Sequence, residues 1–358
     1  MRIPPAARRR LRHIVPLLSV ALLVLAGCAE NYPQTTLAPK GDFARAIDSL
    51  FRSTVWWAAA VFVLVEGALL FAIIRYRARP GGPEAAQFHG NALVEVIWTI
   101  IPATILLFIA VPTVRTIFRT AEAPVGNPVV VEVIGHQWWW EFRYPQFGIT
   151  TASEMVVPVG RAVDLRMRTA DVLHSFWVPQ LAAKRDVFYG RDNRLWFTAE
   201  EPGVYPGQCA EFCGIQHGRM AHRVIAMEPA DFDAWAARMS ASTAPAAVPA
   251  GDSLALAGQA LFAARACMGC HALQAMNAPP GLIGPNLANI GARTTIAAGS
   301  LPNTDANLAR WLRNPQEYKQ GVQMPNLGLS EADINALVAY LKTQRVAPLP
   351  PALAAAAP

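Results

Sequence analysis

The chain has 358 residues, of which 53% are hydrophobic and 16% charged, and its formal net charge is +6 at pH 7. This length predicts two or three domains. Residues 1–27 contain five arginines and no acidic residue, so the rest of the chain carries only +1, and we expect no nucleic-acid partner.

The N-terminal segment has the pattern of a bacterial export signal. Arg8-Arg-Arg-Leu-Arg12 precedes the apolar run 14–25, which is too short to span a membrane. The run ends in Leu25-Ala-Gly-Cys28, which resembles a lipoprotein cleavage box. We predict a signal peptide over residues 1–27, lipidation of Cys28 and an exported segment over residues 28–54. The alternative is a buried cysteine in an uncleaved helix.

Two apolar runs predict a transmembrane hairpin over residues 55–119. The runs 55–74 and 93–114 are each long enough to cross the hydrocarbon core. The loop between them begins with Arg75-Tyr-Arg-Ala-Arg79, and short arginine-rich loops stay in the cytoplasm. The sequence therefore predicts a bacterial inner-membrane protein with two spans, whose termini and later domains lie on the periplasmic side.

Each run contains one glutamate, and an acidic residue within a membrane is a functional candidate. Glu95 lies near the cytoplasmic end of the second run, where a glutamate that simply faces water is the alternative to a functional one. Glu66 lies near the middle of the first run, and we expect it to make a hydrogen bond between helices.

From residue 128 the hydrophobic pattern changes to a period of two. Apolar and charged side chains alternate over residues 163–168, which predicts a half-buried strand. Further β-rich runs at 129–134, 194–198 and 222–227 are separated by Gly/Pro turns. This pattern predicts a small sandwich or barrel, which we place at residues 120–239.

The stretch Cys209-Ala-Glu-Phe-Cys-Gly-Ile-Gln-His-Gly-Arg-Met220 contains a set of soft metal ligands. Thiolate, imidazole and thioether groups together select copper, and two thiolates in one short loop can bridge two metal ions. His174 is the best candidate for a second histidine. A disulfide is possible outside the cytosol but leaves the histidine and methionine spacing unexplained. Blue-copper sites use one thiolate, and a mononuclear zinc site also fits less well.

A linker and a second cofactor domain follow. Residues 240–251 are rich in Ala, Pro and Ser and are predicted to form the linker. Cys267-Met-Gly-Cys-His271 is the attachment signature of c-type haem, with thioether links to Cys267 and Cys270 and with His271 as an axial ligand. Together with Cys28 and the copper pair, these residues account for all five cysteines.

Residues 252–345 resemble a small class I cytochrome c. The resemblance implies Met324 as the sixth ligand of the haem iron, since Met268 lies within the attachment loop and Met276 only five residues past the histidine. Ser330 is predicted to cap a last helix. The Pro/Ala tail over residues 346–358 is predicted to be disordered.

The motif Cys-x-Glu-x-Cys-x3-His-x2-Met, preceded by His-Ser-Phe-Trp-Val-Pro, resembles the binuclear copper (CuA) site of cytochrome c oxidase subunit II. The resemblance implies a cupredoxin-like Greek-key fold for the β domain, with the copper loop between its last strands. It also implies six copper ligands, which are two bridging thiolates, one histidine on each copper, a thioether and a backbone carbonyl: Cys209, Cys213, His174, His217, Met220 and Glu211.

The same resemblance implies three further roles. Trp138 matches the residue at which electrons enter the copper site, although aromatic runs are more often part of a core. Glu95 matches a glutamate at the mouth of a proton channel that subunit I completes. The side chain of Glu211 matches a ligand of a magnesium ion at the subunit interface.

Nearly the whole chain resembles subunit II of a haem–copper oxidase in its cytochrome-c-fused form. The implied architecture is a two-helix transmembrane hairpin, then an all-β cupredoxin-like domain, then a small all-α class I cytochrome c domain. Electrons would pass from an external donor, such as a cytochrome c or the cytochrome bc complex, to haem c and then to CuA. They would then reach subunit I, where oxygen is reduced to water with proton translocation, and subunit III is a further expected partner.

Two alternatives remain open. One is the electron-input subunit of a nitric oxide reductase that also carries CuA. The other is an exported copper-binding haem protein without catalytic partners.

Overall fold

A computed structural model describes residues 32–77, 80–81, 87, 89–122, 124–279 and 283–355. The predicted signal peptide and Cys28 lie outside the described residues. The described residues form a helical hairpin, a β domain of two sheets and a helical C-terminal domain, which confirms the predicted fold class.

Helices α1 (Asp42–Arg75) and α2 (Ala92–Ala121) form the hairpin. Both are long and apolar enough to cross a membrane, and their apolar segments are exposed in the isolated chain. The side chain of Asn91 caps α2 by accepting hydrogen bonds from the first-turn N–H groups. Both helices extend beyond the predicted spans because their outer ends pack on the β domain.

The outer ends of both helices contact the same surface of the β domain. The Asp42 carboxylate accepts a hydrogen bond from the Thr198 N–H at 2.8 Å. Phe43 packs edge-on against Trp196, whose indole N–H donates to the Thr120 carbonyl at 3.1 Å. The loop between the helices therefore lies at the end of the hairpin opposite the β domain.

The β domain consists of two five-stranded sheets with core side chains between them. The strands are β1 (Val129–His136), β2 (Trp139–Tyr144), β3 (Ile149–Ala152), β4 (Glu154–Pro158), β5 (Ala162–Thr169), β6 (His174–Trp177), β7 (Arg185–Val187), β8 (Asn193–Thr198), β9 (Gly203–Cys209) and β10 (Ala221–Met227). Their spatial orders are β3-β2-β1-β5-β8 and β4-β10-β9-β6-β7. The β1–β5 and β4–β10 pairs are parallel, and the other pairs are antiparallel.

Strand β5 follows the predicted alternation with one exception. Its apolar side chains are buried between the sheets, and Arg166 and Arg168 are exposed. Asp164 was expected on the exposed face but is 1% exposed, because the Arg194 side chain covers it and donates two hydrogen bonds at 2.6 and 2.7 Å. The burial of this carboxylate is therefore compensated by a bidentate ion pair.

Helix α3 (Pro229–Ser240) closes the β domain, with Phe232 and Trp235 buried. The C-terminal domain contains α4, α5, α6 and α7 and a short antiparallel strand pair, β11 and β12. Their bounds are α4 (Ser253–Ala264), β11 (Thr295–Ile296), β12 (Leu301–Pro302), α5 (Asp305–Arg313), α6 (Pro315–Tyr318) and α7 (Glu331–Thr343). Ser330 caps α7 as predicted, in a capping box with Asp333.

The predicted linker is held against the C-terminal domain by hydrogen bonds. The Ser242 carbonyl accepts a hydrogen bond from the Met276 N–H at 2.9 Å. Ala246 exchanges two hydrogen bonds with the Gln344 side chain, at 2.9 and 3.3 Å. The linker is therefore an ordered connection in which the donors and acceptors of the backbone are partly satisfied.

The expectation of a disordered tail is wrong for residues 346–355. The backbone of Ala347 bonds with the Asn289 side chain at 2.9 and 3.0 Å. Helix α8 (Pro351–Ala355) follows, and its Leu353 is buried in the same apolar cluster as the β-domain core. Composition suggested disorder, but these small apolar side chains find a surface to pack against. Residues 356–358 lie outside the described part.

Candidate functional site

The loop between β9 and β10 gathers the predicted copper ligands. The sulfur atoms of Cys209 and Cys213 are 3.8 Å apart, and the Cys209 sulfur lies 3.2 Å from the Glu211 carbonyl oxygen. The Cys213 sulfur lies 3.7 Å from Nδ1 of His217 and 3.8 Å from Sδ of Met220. A short 3₁₀ turn over His217–Arg219 makes this convergence possible, since it brings the histidine back toward the cysteines.

His174 joins the same cluster from β6. It is completely buried, and its Nδ1 lies 3.9 Å from the Cys209 sulfur. The candidate ligand atoms of His174, Cys209 and Cys213 all lie within 4.8 Å of one another. Two sulfurs, two imidazoles, a thioether and a carbonyl form a donor set that fits copper, and the two sulfurs lie at its centre.

Asp171 fixes the orientation of His174. The Asp171 carboxylate lies 2.8 Å from Nε2 of His174 and accepts a second hydrogen bond from the Gln137 N–H at 2.7 Å. Nε2–H therefore donates to the carboxylate, and the Nδ1 lone pair is directed at the sulfurs. Burial opposes the charged form, but the hydrogen bond to Asp171 raises the pKa of His174.

The two cysteines are free thiols rather than a disulfide. Each sulfur affects the protonation of the other, because the hydrogen bond between them lowers the pKa of Cys209 and raises the pKa of Cys213. A metal bound here would displace the thiol protons and be held by two thiolates.

The C-terminal domain contains a cavity of about 350 Å³ beside the attachment signature. Cys267, Cys270, His271 and Met324 line it, whereas Met268 and Met276 do not. The donor set of two thiols, one imidazole and one thioether, within an apolar wall, fits a covalently attached haem. The apolar wall consists of Leu287, Ile290, Ile296, Leu308, Trp311, Leu312 and Leu341.

A backbone hydrogen bond sets the tautomer of His271. Its Nδ1–H donates to the Pro285 carbonyl at 2.8 Å, which leaves Nε2 as the free ligand atom. Burial lowers the pKa of His271, so the neutral imidazole needed for metal binding is favoured.

Trp138 lies between this haem cavity and the copper loop. It is 8% exposed, and its indole N–H donates to the Cys213 carbonyl at 3.0 Å. The side chain of Gln137 donates to the same carbonyl at 2.8 Å. Gly214 has a φ of +115°, and a Cβ at this position would come within 3.0 Å of the indole. Glycine is therefore required where the loop approaches Trp138.

The β domain forms part of the wall of the haem cavity. Gln137, Trp138, Trp139 and Ser153 line the cavity from the β-domain side, and Lys319 lines it from the C-terminal domain. Trp138 is thus in contact with both the copper loop and the haem cavity.

A buried carboxylate fastens the two domains at a second place. Glu154 is 5% exposed, and its Oε1 accepts four hydrogen bonds, of 2.6 to 3.0 Å, from the backbone N–H groups and hydroxyls of Thr294 and Thr295. The backbone of Ala221 also bonds with the carbonyl of Ala298 at 3.0 Å. Such fully satisfied contacts hold the domains in one arrangement.

Sequence reasoning named the ligand candidates but missed the residues that orient them. The Asp-x2-His spacing is the signal that points to Asp171. No comparable signal marks Glu154 or Lys319, because each acquires its role only through contact with the other domain.

The membrane hairpin carries the two remaining candidates. Glu95 lies in the first turn of α2, beside Gly90, at the end of the hairpin opposite the copper loop. Glu66 is half-buried near the middle of α1. The predicted roles of Glu95 in proton uptake and of Glu211 in magnesium binding stay predictions.

Three family models match the chain in the order of its structural parts. "Cytochrome C oxidase subunit II, transmembrane domain" matches residues 40–116, "Cytochrome C oxidase subunit II, periplasmic domain" matches residues 148–227, and "Cytochrome c" matches residues 255–345.

The chain is also similar to curated proteins over nearly its whole length. Cytochrome c oxidase subunit 2 of Alkalihalophilus pseudofirmus is 40% identical over 92% of this chain and 96% of the relative. The protein of the same name from Bacillus sp. strain PS3 is 36% identical over 93% of this chain and 98% of the relative. That from Bacillus subtilis is 32% identical over 92% of this chain and 97% of the relative.

Proposed function

The chain belongs to the cytochrome c oxidase subunit II family, and from this premise we propose that it is the electron-input subunit of a respiratory oxidase. Haem c in the C-terminal domain receives electrons from an external donor, such as a cytochrome c or the cytochrome bc complex. The electrons pass to a binuclear CuA centre in the β domain and then to subunit I. Oxygen reduction to water and proton translocation take place in subunit I, and subunit III completes the complex.

The observation that carries this proposal is the placement of Trp138. Its side chain lines the haem cavity and also donates a hydrogen bond to the Cys213 carbonyl in the copper loop. A residue in contact with both cofactor sites provides a short path between them. Trp138 is therefore our candidate for the residue at which electrons enter the copper site.

The chain's own residues prepare both sites before an electron arrives. Asp171 fixes the ring of His174, and the Pro285 carbonyl fixes the ring of His271. In the copper site, Cys209 and Cys213 would bridge, His174 and His217 would each bind one copper, and Met220 and the Glu211 carbonyl would complete the set. When bound, the copper pair supplies a one-electron carrier whose charge is spread over two shared sulfurs. A cage of buried, hydrogen-bonded ligands changes little in geometry when that charge changes.

The hairpin supports a role within a membrane complex. Its apolar side chains are exposed in the isolated chain, as is needed for contact with lipid and with other subunits. With the arginine-rich loop in the cytoplasm, the β domain and the haem domain lie on the periplasmic side. These features disfavour an exported copper-binding protein that acts alone.

The gas that the assembled complex reduces distinguishes an oxidase from a nitric oxide reductase, which is the remaining alternative. A complex purified through this chain is expected to contain a large haem-bearing membrane subunit and to consume oxygen with reduced cytochrome c as donor. Consumption of nitric oxide without oxygen uptake would replace the oxidase proposal by the reductase one.

Replacing Glu95 by Gln in that complex is expected to slow steady-state oxygen consumption by roughly 100-fold. Glutamine keeps the size of the side chain but cannot carry a proton, and a proton-transfer group contributes roughly 10²–10⁴-fold. The haem-to-copper electron-transfer rate is the internal control and should stay the same, because Glu95 lies at the far end of the hairpin. Full turnover in the variant would show that Glu95 only faces water.

A further inference from the structure

Lys319 is a buried cation at the boundary between the two redox domains. It follows α6, it is 2% exposed, and it lines the haem cavity. Its Nζ donates to the Trp138 carbonyl at 2.7 Å and lies 3.5 Å from the Ala297 carbonyl. A side chain of the C-terminal domain thus holds the backbone of a β-domain residue.

The burial of Lys319 needs a physical explanation, because lysine is almost never fully buried without a charged partner. Within the described ranges, no carboxylate forms an ion pair with it. The pKa of Lys319 is lowered to about 7, chiefly by burial and also by the charge of Arg219, whereas a negatively charged Cys213 would act in the opposite direction. An apolar side chain would fill the same space without this desolvation cost.

The contacts of Lys319 continue to the copper loop through a single residue. The Trp138 carbonyl accepts a hydrogen bond from the Lys319 ammonium, and the Trp138 indole donates to the Cys213 carbonyl. Both ends of Trp138 are therefore fixed, one from the haem cavity side and one from the copper loop.

We propose that Lys319 is a positioning residue for electron transfer from the haem domain to the copper domain, because it fixes Trp138 between the two sites. This inference rests on the proposed function. The transferred electron leaves a reduced haem and reduces the oxidised copper pair, and Lys319 itself gains and loses nothing. Its ammonium charge, which lies between the two sites, also favours the reduced state of both.

The docking of the two domains does not depend on Lys319 alone. Glu154 accepts its four hydrogen bonds from Thr294 and Thr295 at a separate place on the boundary. A change at Lys319 is therefore expected to alter the position of Trp138 while the domains stay docked.

The test is Lys319→Met in the full-length chain carrying copper and haem, with haem-to-copper transfer followed after flash photoreduction of the haem. Methionine keeps the length and apolar character of the stem but removes the donor and the charge. We expect the transfer rate to fall about tenfold, because losing one hydrogen bond to a charged group lowers the population of the correctly placed Trp138 by about that factor. The midpoint potentials of both centres, measured at pH 6, where the ammonium form prevails, should also fall.

Lys342→Met is the matched control. Lys342 belongs to the same domain, and its Nζ also donates to a backbone carbonyl, that of Asn303, at 3.0 Å, but it does not line the cavity. This variant should leave the rate and both potentials unchanged. In Lys319→Gln, the amide can still donate to the Trp138 carbonyl, so the rate should be restored within about threefold while the potentials stay low.

The possible outcomes separate this inference from the proposed function. If the wild-type chain reduces no copper after the flash, the proposed function fails. If the wild-type chain transfers normally and Lys319→Met has the same rate and potentials, only the positioning inference is overturned. If Lys319→Met does not fold, Lys319→Leu, which also removes the donor and the charge, is measured in its place, and a wild-type rate and wild-type potentials in that variant would overturn the inference.

Discussion

Replacing either Cys209 or Cys213 by serine is expected to abolish the binuclear copper centre and to leave the covalent haem in place. Each cysteine sulfur lies near a different histidine: Cys209 lies near His174, and Cys213 lies near His217. The two sulfurs are 3.8 Å apart. If the two sulfurs bridge as proposed, the loss of either would remove a ligand from both coppers. A serine hydroxyl does not replace it, because it is a hard donor and stays protonated.

The copper content and the electron paramagnetic resonance spectrum of the two serine variants test this. The optical spectrum of the haem is the internal control and should match that of the wild-type chain. Asp171→Asn should be milder, because it changes only the orientation of His174, and loss of such a partner lowers metal affinity by roughly 10–100-fold. An unaltered binuclear spectrum in either serine variant would show that the sulfurs do not bridge.

Replacing Glu154 by Ala is expected to loosen the docking of the haem domain on the copper domain. Four donors of Thr294 and Thr295 lose their acceptor, and each buried donor left unsatisfied costs about 1–3 kcal/mol. Burial lowers the pKa of the neighbouring Arg223 and Arg293, and the charge of Glu154 partly opposes this lowering. These arginines would lose that compensation, so the docked state should be destabilised by several kcal/mol.

Limited proteolysis between the domains, together with the haem-to-copper transfer rate, measures this effect. Glu154→Ala should be cleaved faster in residues 243–250 and should transfer more slowly. Glu201→Ala is the control, since the exposed ion pair of Glu201 with Lys40 contributes about 0–1 kcal/mol. Equal cleavage and equal transfer in the two variants would mean that Glu154 does not hold the domains together.

The candidate metal ligands could be recognised in the sequence because their spacing is local. Cys209, Cys213, His217 and Met220 lie within one loop, and the chain between them is short enough for their spacing to limit their geometry. The attachment signature of the haem domain has the same property. The hairpin was predicted from long apolar runs and the β domain from period-two alternation. Both patterns are local, since the spacing of apolar residues follows the geometry of a single helix or strand.

The contacts between the domains could not be predicted in this way. Glu154 and Thr294 are 140 residues apart in sequence, and Trp138 and Lys319 are 181 residues apart. Asp164 was expected to be exposed because the prediction used only the alternation within β5. Arg194, on the neighbouring strand β8, covers it. The composition of the tail suggested disorder. The tail is nevertheless ordered at Leu353, because this side chain packs on a surface that belongs to another part of the chain. Each difference arises where tertiary contacts override a local pattern.

We propose that electrons pass to the copper centre within one chain, from its own haem. Flash photoreduction of the haem at several protein concentrations, with the copper absorbance as readout, distinguishes this from transfer between molecules. We expect a copper reduction rate that is independent of protein concentration and changes little with salt, because the buried contacts at Glu154 and Lys319 hold the two domains together. A rate that rises in proportion to protein concentration would contradict it, since transfer would then occur between separate molecules.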